Sequence, residues 1–350
     1  MSDAKQHTIP AHGGADLPSV TVEAYNAELR DAEGFIGDRA SRRAFQSILD
    51  EWRDRIARVG EDPFGNQPTR KLSKRKLAKT LIEGEVEAAG LILTAIEEFA
   101  QELATVCRRL LRLKTWQSAE RIVVGGGFRG SRVGELAIGR ANVLLKGDGR
   151  PIEMRPIRHD PDEAALLGAV HLVPAWMFAG HEAILAVDIG GSNIRAGLVE
   201  LGSDKTAVGA DARVLKFILW RHTDDDPNRD EAVERLVEML RQLIAHAGRK
   251  GHKLAPFVGI GCPGVIARDG AIERGGQNLP GNWESSRFNL PRQIRELLPQ
   301  IDGHGPLVLL HNDAVVHGLS ELPWMQEFQS WGALTIGTGL GNAVFRNKRE

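Results

Sequence analysis

Two aspartates stand where an apolar strand gives out: Asp188 in "AVDIGGSNIRAG" and Asp313 in "VLLHNDAVVHG". A carboxylate at a strand end can hold Mg²⁺ through water, or take a proton from an attacking hydroxyl. Gly190 and Gly191 follow Asp188; with no Cβ they let backbone N–H groups come close to an anion. Ser192 and Asn193 add a hydroxyl and an amide. A second strand, glycine turn and strand, "LTIGTGLGNAV", offers Gly337, Thr338 and Gly339 in the same way. Two such turns with a metal between them suit a chain of phosphates. Asp313 opens a helix after its strand and fits a base that accepts a hydroxyl proton. Its neighbour Asn312 fits a contact to an adjacent hydroxyl, or a helix cap.

Other segments add pieces. "GCPGVIARDGAIERGGQNLPGNW" carries Asn278, Asn282 and Trp283, residue types that suit a polyhydroxylated ring. Cys262 in this segment reads as a packed thiol, with nothing nearby to lower its pKa. "IVVGGGFRG" contains a G-x-G-x-x-G at Gly125, Gly127 and Gly130. A dinucleotide fold would need an acid at the end of the next strand, and "PIEMRPIR" has none there. Gly125, Gly126 and Gly127 would instead let the backbone pass close to a base or ribose. No G-x-x-x-x-G-K-[ST] run occurs.

The elements that must position these residues follow from periodicity. From Thr21 to about Val59 the pattern is helical, with Phe45, Ile48, Leu49, Trp52 and Ile56 on one face. A long helical region runs from Leu72 to about Leu113, with Gly84 and Gly90 expected to bend or split it. Its basic start, "KLSKRKLAK", reads as a solvated face, with a phosphate or nucleic-acid contact as the alternative. Strands are expected over 121–128 and 151–158, with a helix between them and a capped apolar helix from Asp160 or Asp162. Beyond Gly180 come a hairpin at 184–201, a helix at 229–248, the strand "PFVGIGCPG", the helix "LPRQIRELL", the strand "PLVLLHNDA", a helix from Asn312, and the last hairpin.

The 350 residues allow two domains. A net charge of −1 gives no bulk attraction to nucleic acid or anionic membrane. Two cysteines far apart argue against a disulfide framework and a Cys-rich zinc site, and suggest a reducing compartment. No apolar run reaches the ~20 residues that span a bilayer. Cytoplasm is the expected location.

Together the segments resemble the ROK family of sugar kinases and repressors, of the actin-like ATPase superfamily. "DIGGSNIRAG" is similar to the family's first phosphate motif, "GCPGVI…GGQNLPGNW" to its sugar loop, and "HNDA" to the segment with the catalytic Asp. "LTIGTGLGNA" is similar to the second phosphate motif, and "IVVGGGF" and "EAALLGAVHL" to the adenosine motif and terminal helix. The resemblance covers roughly residues 72–347. Its order is anomalous, since the adenosine motif precedes phosphate-1. A circular permutation accounts for this; a fused pair of incomplete domains is the rival.

The resemblance implies an α/β, two-lobed actin-like ATPase (RNase H-like) fold, circularly permuted. Residues 1–20 read from their polar composition as a flexible lead-in; the resemblance implies a large lobe over 21–174 and a linker over 175–183 joining the old termini. A small lobe spans 184–322, and 323–350 returns to the large lobe as the phosphate-2 hairpin. It implies ATP- and Mg²⁺-dependent phosphorylation of a hexose, with glucose to glucose 6-phosphate as the first choice. Polyphosphate is an alternative donor. Asp313 is the catalytic base and Asp188 the metal ligand. Asp188, Gly190, Gly191, Ser192, Asn193, Gly337, Thr338, Gly339 and Gly125–Gly127 bind the nucleotide. Asn278, Asn312 and Asp313 face the sugar. The family's E-x-G-H pair has no clear match, so Glu23, with His7 or His12, is the stand-in. Asn342 replaces a glycine common in phosphate-2. The family's Cys-rich zinc segment is absent, so no zinc is expected. A homodimer is an open expectation. The alternative function is a sugar-responsive regulator or pseudokinase, against which the near-zero charge and both aspartates count.

Overall fold

The computed structural model describes residues 9–32, 34–202 and 211–348, so His7 lies outside the described residues. Strands β1 (Val20–Tyr25), β2 (Arg30–Asp31) and β3 (Gly34–Phe35) precede helices α1 (Arg42–Ala57), α2 (Lys74–Glu83) and α3 (Val86–Leu110). Next come β4 (Arg121–Gly125), α4 (Arg132–Gly147), β5 (Glu153–Pro156) and α5 (Ala164–Gly168). The hairpin β6 (Ala183–Ile189) and β7 (Ile194–Glu200) leads to β8 (Arg213–Trp220), α6 (His222–Asp225), α7 (Arg229–Lys250) and β9 (Leu254–Cys262). Then follow β10 (Val265–Ile266), β11 (Ile272–Arg274), α8 (Leu290–Leu297), β12 (Leu307–Asn312) and α9 (Asp313–Leu319). The last hairpin is β13 (Ser330–Ile336) and β14 (Leu340–Asn347).

The chain divides into two compact units. One comprises Met1–Glu23, Asp162–Trp324 and Phe345–Glu350; the other comprises Ala24–Pro161 and Met325–Val344. The first contains the sheet β12-β9-β6-β7-β8. In it β6, β7 and β8 run antiparallel in sequence, while β9 and β12 run parallel to β6. Numbered along the chain this is the order 3-2-1-4-5. β6 is buried at every position because sheet neighbours and helices cover it on all sides. Helix α7 carries a capping box from Asn228 and Glu231 and stops at Gly251, whose φ of 76° suits only glycine well.

The second sheet is β1-β14-β13-β4-β5, with β13, β4 and β5 mutually parallel. Asn26 N donates to Asn342 O (2.8 Å) and Lys348 N to Ser19 O (3.0 Å), so β1 and β14 run antiparallel. Counting from β13, this sheet also reads 3-2-1-4-5, provided that the count passes from the last strand of the chain to the first. Each of these sheets is flanked in sequence by helices, so the α/β class that the resemblance implies is observed.

Some expectations are corrected. The stretch after Thr21 is not helical throughout: "VTVEAY" alternates large apolar and polar residues and forms β1, and α1 begins only at Arg42. From residue 9 the lead-in is not loose. Leu17 is buried, and Gly13 N donates to Leu310 O at 3.0 Å on the edge strand β12. The helix expected from residue 160 shortens to α5 and two 3₁₀ turns, broken by Pro174. Residues 162–174 fall with the unit of β6 and β7 and not with that of β4 and β5. Gly168 shows why: a Cβ there would meet the backbone oxygen of Val316 on α9 at 1.8 Å. Strand β8, unforeseen, adds an edge to the first sheet.

Candidate active site

In the first unit three parallel strands deliver their C-terminal ends to one level. Asp188 of β6 is in register with Gly261 of β9, and so is His311 of β12. Strand spacing therefore puts Asp188 and the β12 end about 10 Å apart. Ligands of open α/β sheets bind at such ends.

Asp313 is the first residue of α9 and is half-buried. Burial, with the negative charge of Asp188 in support, pushes its carboxyl up to about 6 against the opposing pull of His317. Asp188 goes the other way. Burial alone would raise it, but His317 and Arg195 together hold it below the usual carboxylate range. Arg195 donates from Nη1 to Asp188 Oδ2 at 2.9 Å and from Nε to Asp162 Oδ1 at 2.8 Å. His317 Nε2 lies 3.6 Å from Asp188 Oδ1. One carboxyl is thus biased toward accepting a proton near neutrality and its neighbour toward permanent charge.

Asn312 is buried and caps α9, accepting from Ala314 N (3.0 Å) and Val315 N (3.4 Å) and donating to Gly264 O (3.0 Å). One amide hydrogen remains for a ligand by count. His311 is locked beside it: Nδ1 accepts from Asn312 N (2.8 Å), Nε2 donates to Gly14 O (3.1 Å), and burial pushes its pKa down to about 4. Asn278 is exposed on its loop. Trp283 is not available to a ring; it is buried against Phe288 and donates to Pro280 O (2.6 Å). Cys262 is buried at the end of β9, its thiol pushed up by burial and the two aspartates, as a packed thiol should be.

The β6–β7 turn, expected to bind phosphate, closes with Gly190 N donating to Asn193 O at 2.9 Å. Neither Gly190 nor Gly191 has a left-handed φ, and neither does Gly337 or Gly339. Gly337 and Gly339 are open: a Cβ on Gly339 would meet nothing within 4 Å, and one on Gly337 only Gly339 O at 3.9 Å, while one on Gly190 would touch Asn193 O at 3.4 Å.

The second unit brings the other two glycine segments together. Gly126 at the end of β4 needs its φ of 83°, and a Cβ there would strike Ile336 O at 2.6 Å. Phe128 N donates to Ile336 O (3.0 Å), and the Phe128 ring packs against Phe45 and Phe99. Lys74 Nζ donates to Gly127 O, and Arg42 N donates to Gly337 O at 3.0 Å. Arg42 and Lys74 line a hollow whose wall includes Phe45, Gln46, Leu72 and Phe128. Thr338 sits at the crown of the β13–β14 turn. Asn342 is buried and ties down the end of β1, accepting from Ala27 N (2.9 Å) and donating to Ala27 O (3.1 Å). Glu23 is held elsewhere on β1 by Arg346 at 2.7 Å. His12 accepts from Leu310 N at 3.0 Å.

Arg195, Asp162 and His317 were missed by the sequence reading. Arg195 was findable: a hairpin turning at 190–193 puts residue 195 opposite 188, on the same face. His317 stands four residues after Asp313, one helical turn on. Among the described residues no cluster of three or more His, Cys, Asp or Glu could hold a metal, and no helix is long and apolar enough to cross a membrane.

No family model matches the chain. It is 30% identical over 164 residues to the glucokinase of Thermotoga maritima, which covers 46% of this chain and 44% of that protein. The chain thus spans less than half the length of the curated relative it matches. Among solved structures it is similar to a ROK hexokinase from Thermus thermophilus (24% identity, 48% and 49% of the two chains, TM-score 0.34). It is also similar to a ROK family glucokinase from Streptomyces griseus in complex with glucose and AMPPNP (23% identity, 48% and 46%, TM-score 0.35). Over about half of its length, then, the chain is similar to a glucokinase, and the solved structures it resembles include ROK sugar kinases.

Proposed function

We propose that this chain transfers the terminal phosphoryl group of ATP to a hexose hydroxyl, with glucose the first acceptor to test. The observation that carries this reading is the pair of carboxylates at the strand ends, one raised to about 6 and one lowered. Asp313 takes the hydroxyl proton as the oxygen attacks phosphorus. Asp188 keeps its charge near the transferring group, and Arg195 and Asp162 fix its orientation. In the second unit the open turn at Gly337 and Gly339 receives phosphate oxygens and the hollow beside Gly127 receives the base; in the first, the turn at Gly190 and Gly191 offers its N–H groups to an anion.

Asp188 is a hard oxygen donor, which fits Mg²⁺, but Arg195 and His317 already engage its oxygens. It would therefore hold the ion through water. Mg²⁺ bound to the donor would neutralise phosphate charge. Asn278 and the remaining amide hydrogen of Asn312 are the proposed sugar contacts. The chain order is read as a circular permutation, supported by the wrapped strand count of the second sheet and by a linear match of about half the relative. The cytoplasm is the proposed location.

The test is ADP release with Mg-ATP across a panel of hexoses, N-acetylhexosamines and a no-sugar blank. Asp313→Asn should lose turnover by about 10²–10⁴-fold while nucleotide binding is retained. Sugar-independent release, or unchanged turnover in the variant, refutes the assignment.

A further inference from the structure

We propose that His222 and Thr223 clamp the phosphate-1 turn so that its amides face an anion, which makes His222 a positioning residue for the phosphoryl donor; this rests on the phosphoryl-transfer reading above. His222 Nε2 donates to Gly190 O at 2.9 Å, and Thr223 Oγ1 donates to Ser192 O at 3.4 Å. These are alternate carbonyls of the turn, drawn toward two adjacent residues. A trans peptide unit is planar, so each carbonyl and the following N–H point in opposite directions. The N–H groups of Gly191 and Asn193 are therefore turned to the other side of the loop. Gly190 N is spent on Asn193 O, which keeps the turn tight. A row of N–H groups sharing one side is what an anion recognises.

The clamp is itself held in place. His222 is buried, and its ring stands edge-on to Trp220 at 6.0 Å. Trp220 Nε1 donates to Asp225 Oδ2 at 2.7 Å, and Asp226 ends α6 in a left-handed conformation. A carbonyl oxygen can only accept, so the hydrogen of neutral His222 must sit on Nε2. The tautomer is thus part of the device.

Three chains test it: wild type, His222→Phe, which keeps a ring but loses the donor, and His222→Gln, which keeps a donor at similar reach. Each is titrated calorimetrically with Mg-ADP and with inorganic triphosphate, and each is melted. His222→Phe should bind both probes up to about tenfold more weakly, with the sugar KM unchanged. His222→Gln should stay within about threefold of wild type. Nitrogen-15 spectra of the ligand-free wild type should show the Nε2–H tautomer. If His222→Phe does not fold, Thr223→Val takes its place, with a loss of about threefold expected. Undiminished binding by the Phe variant, equal losses in Phe and Gln, or an Nδ1–H tautomer overturns the clamp and leaves the kinase reading standing. A wild type that binds neither probe overturns the kinase reading, and the clamp with it.

Discussion

Asp313 carries two consequences of its setting. As a base it must be ionised, so kcat/KM for the sugar should rise with pH along a limb centred near 6. A flat profile between pH 5 and 8 would remove it from that role. The same shift bears on stability. Its pKa is raised from about 3.9 in the unfolded chain, so its favourable contribution is complete below about 4 and is lost as pH rises through about 6. Asp313→Asn should therefore gain melting temperature relative to wild type at pH 7.5 but not at pH 4, as thermal melts at both values will show. The glycine turns and the strand-end placement of both aspartates were legible because they have local signatures. Trp283 was misread because an aromatic next to amides looks the same whether it faces solvent or the core. Arg195 was overlooked because its partner lies across a hairpin and not beside it in sequence.

Elements here are set by close backbone approach as much as by apolar pattern. Gly168 admits the α9 backbone, and Gly261 faces Val316 at 3.3 Å from where a Cβ would stand. Gly168→Ala should cost about 1–3 kcal/mol or more, seen as a lower melting temperature. Because α9 carries Asp313 and His317, activity should fall with it, and an unchanged melt would refute the packing argument. Long periodic elements such as α3 and α7 were readable, as was the break at Gly84, whereas α3 runs unbroken through Gly90. β1 was hidden because its period-two alternation is only six residues long and runs into a helical pattern. β8 escaped because a mainly apolar run of eight residues has no period that separates edge strand from helix.

At the scale of the whole molecule, two sheets share one strand order only when the chain is read as a circle. Lys348 N and Nζ donate to Ser19 O (3.0 Å) and Leu17 O (2.5 Å), so the last described residue lies beside the start of β1. A reordered chain, residues 181–350 followed by 1–180, should give the same far-UV circular dichroism and melt within about 5 °C of the original. An unfolded product would count against the permutation. Motif order made the anomaly visible in sequence; the wrapped sheet could not be, since pairing between residues some 320 apart leaves no local pattern. β12 is an edge strand that reads Leu-Val-Leu-Leu, and its outer polar groups at Leu310 are taken by Gly13 and His12. A bare strand of that composition would invite another chain to add to it. Gly13 and His12 occupy that edge at Leu310, where an added strand would have to bond, so the segment that looked least structured stands in the way of such an addition.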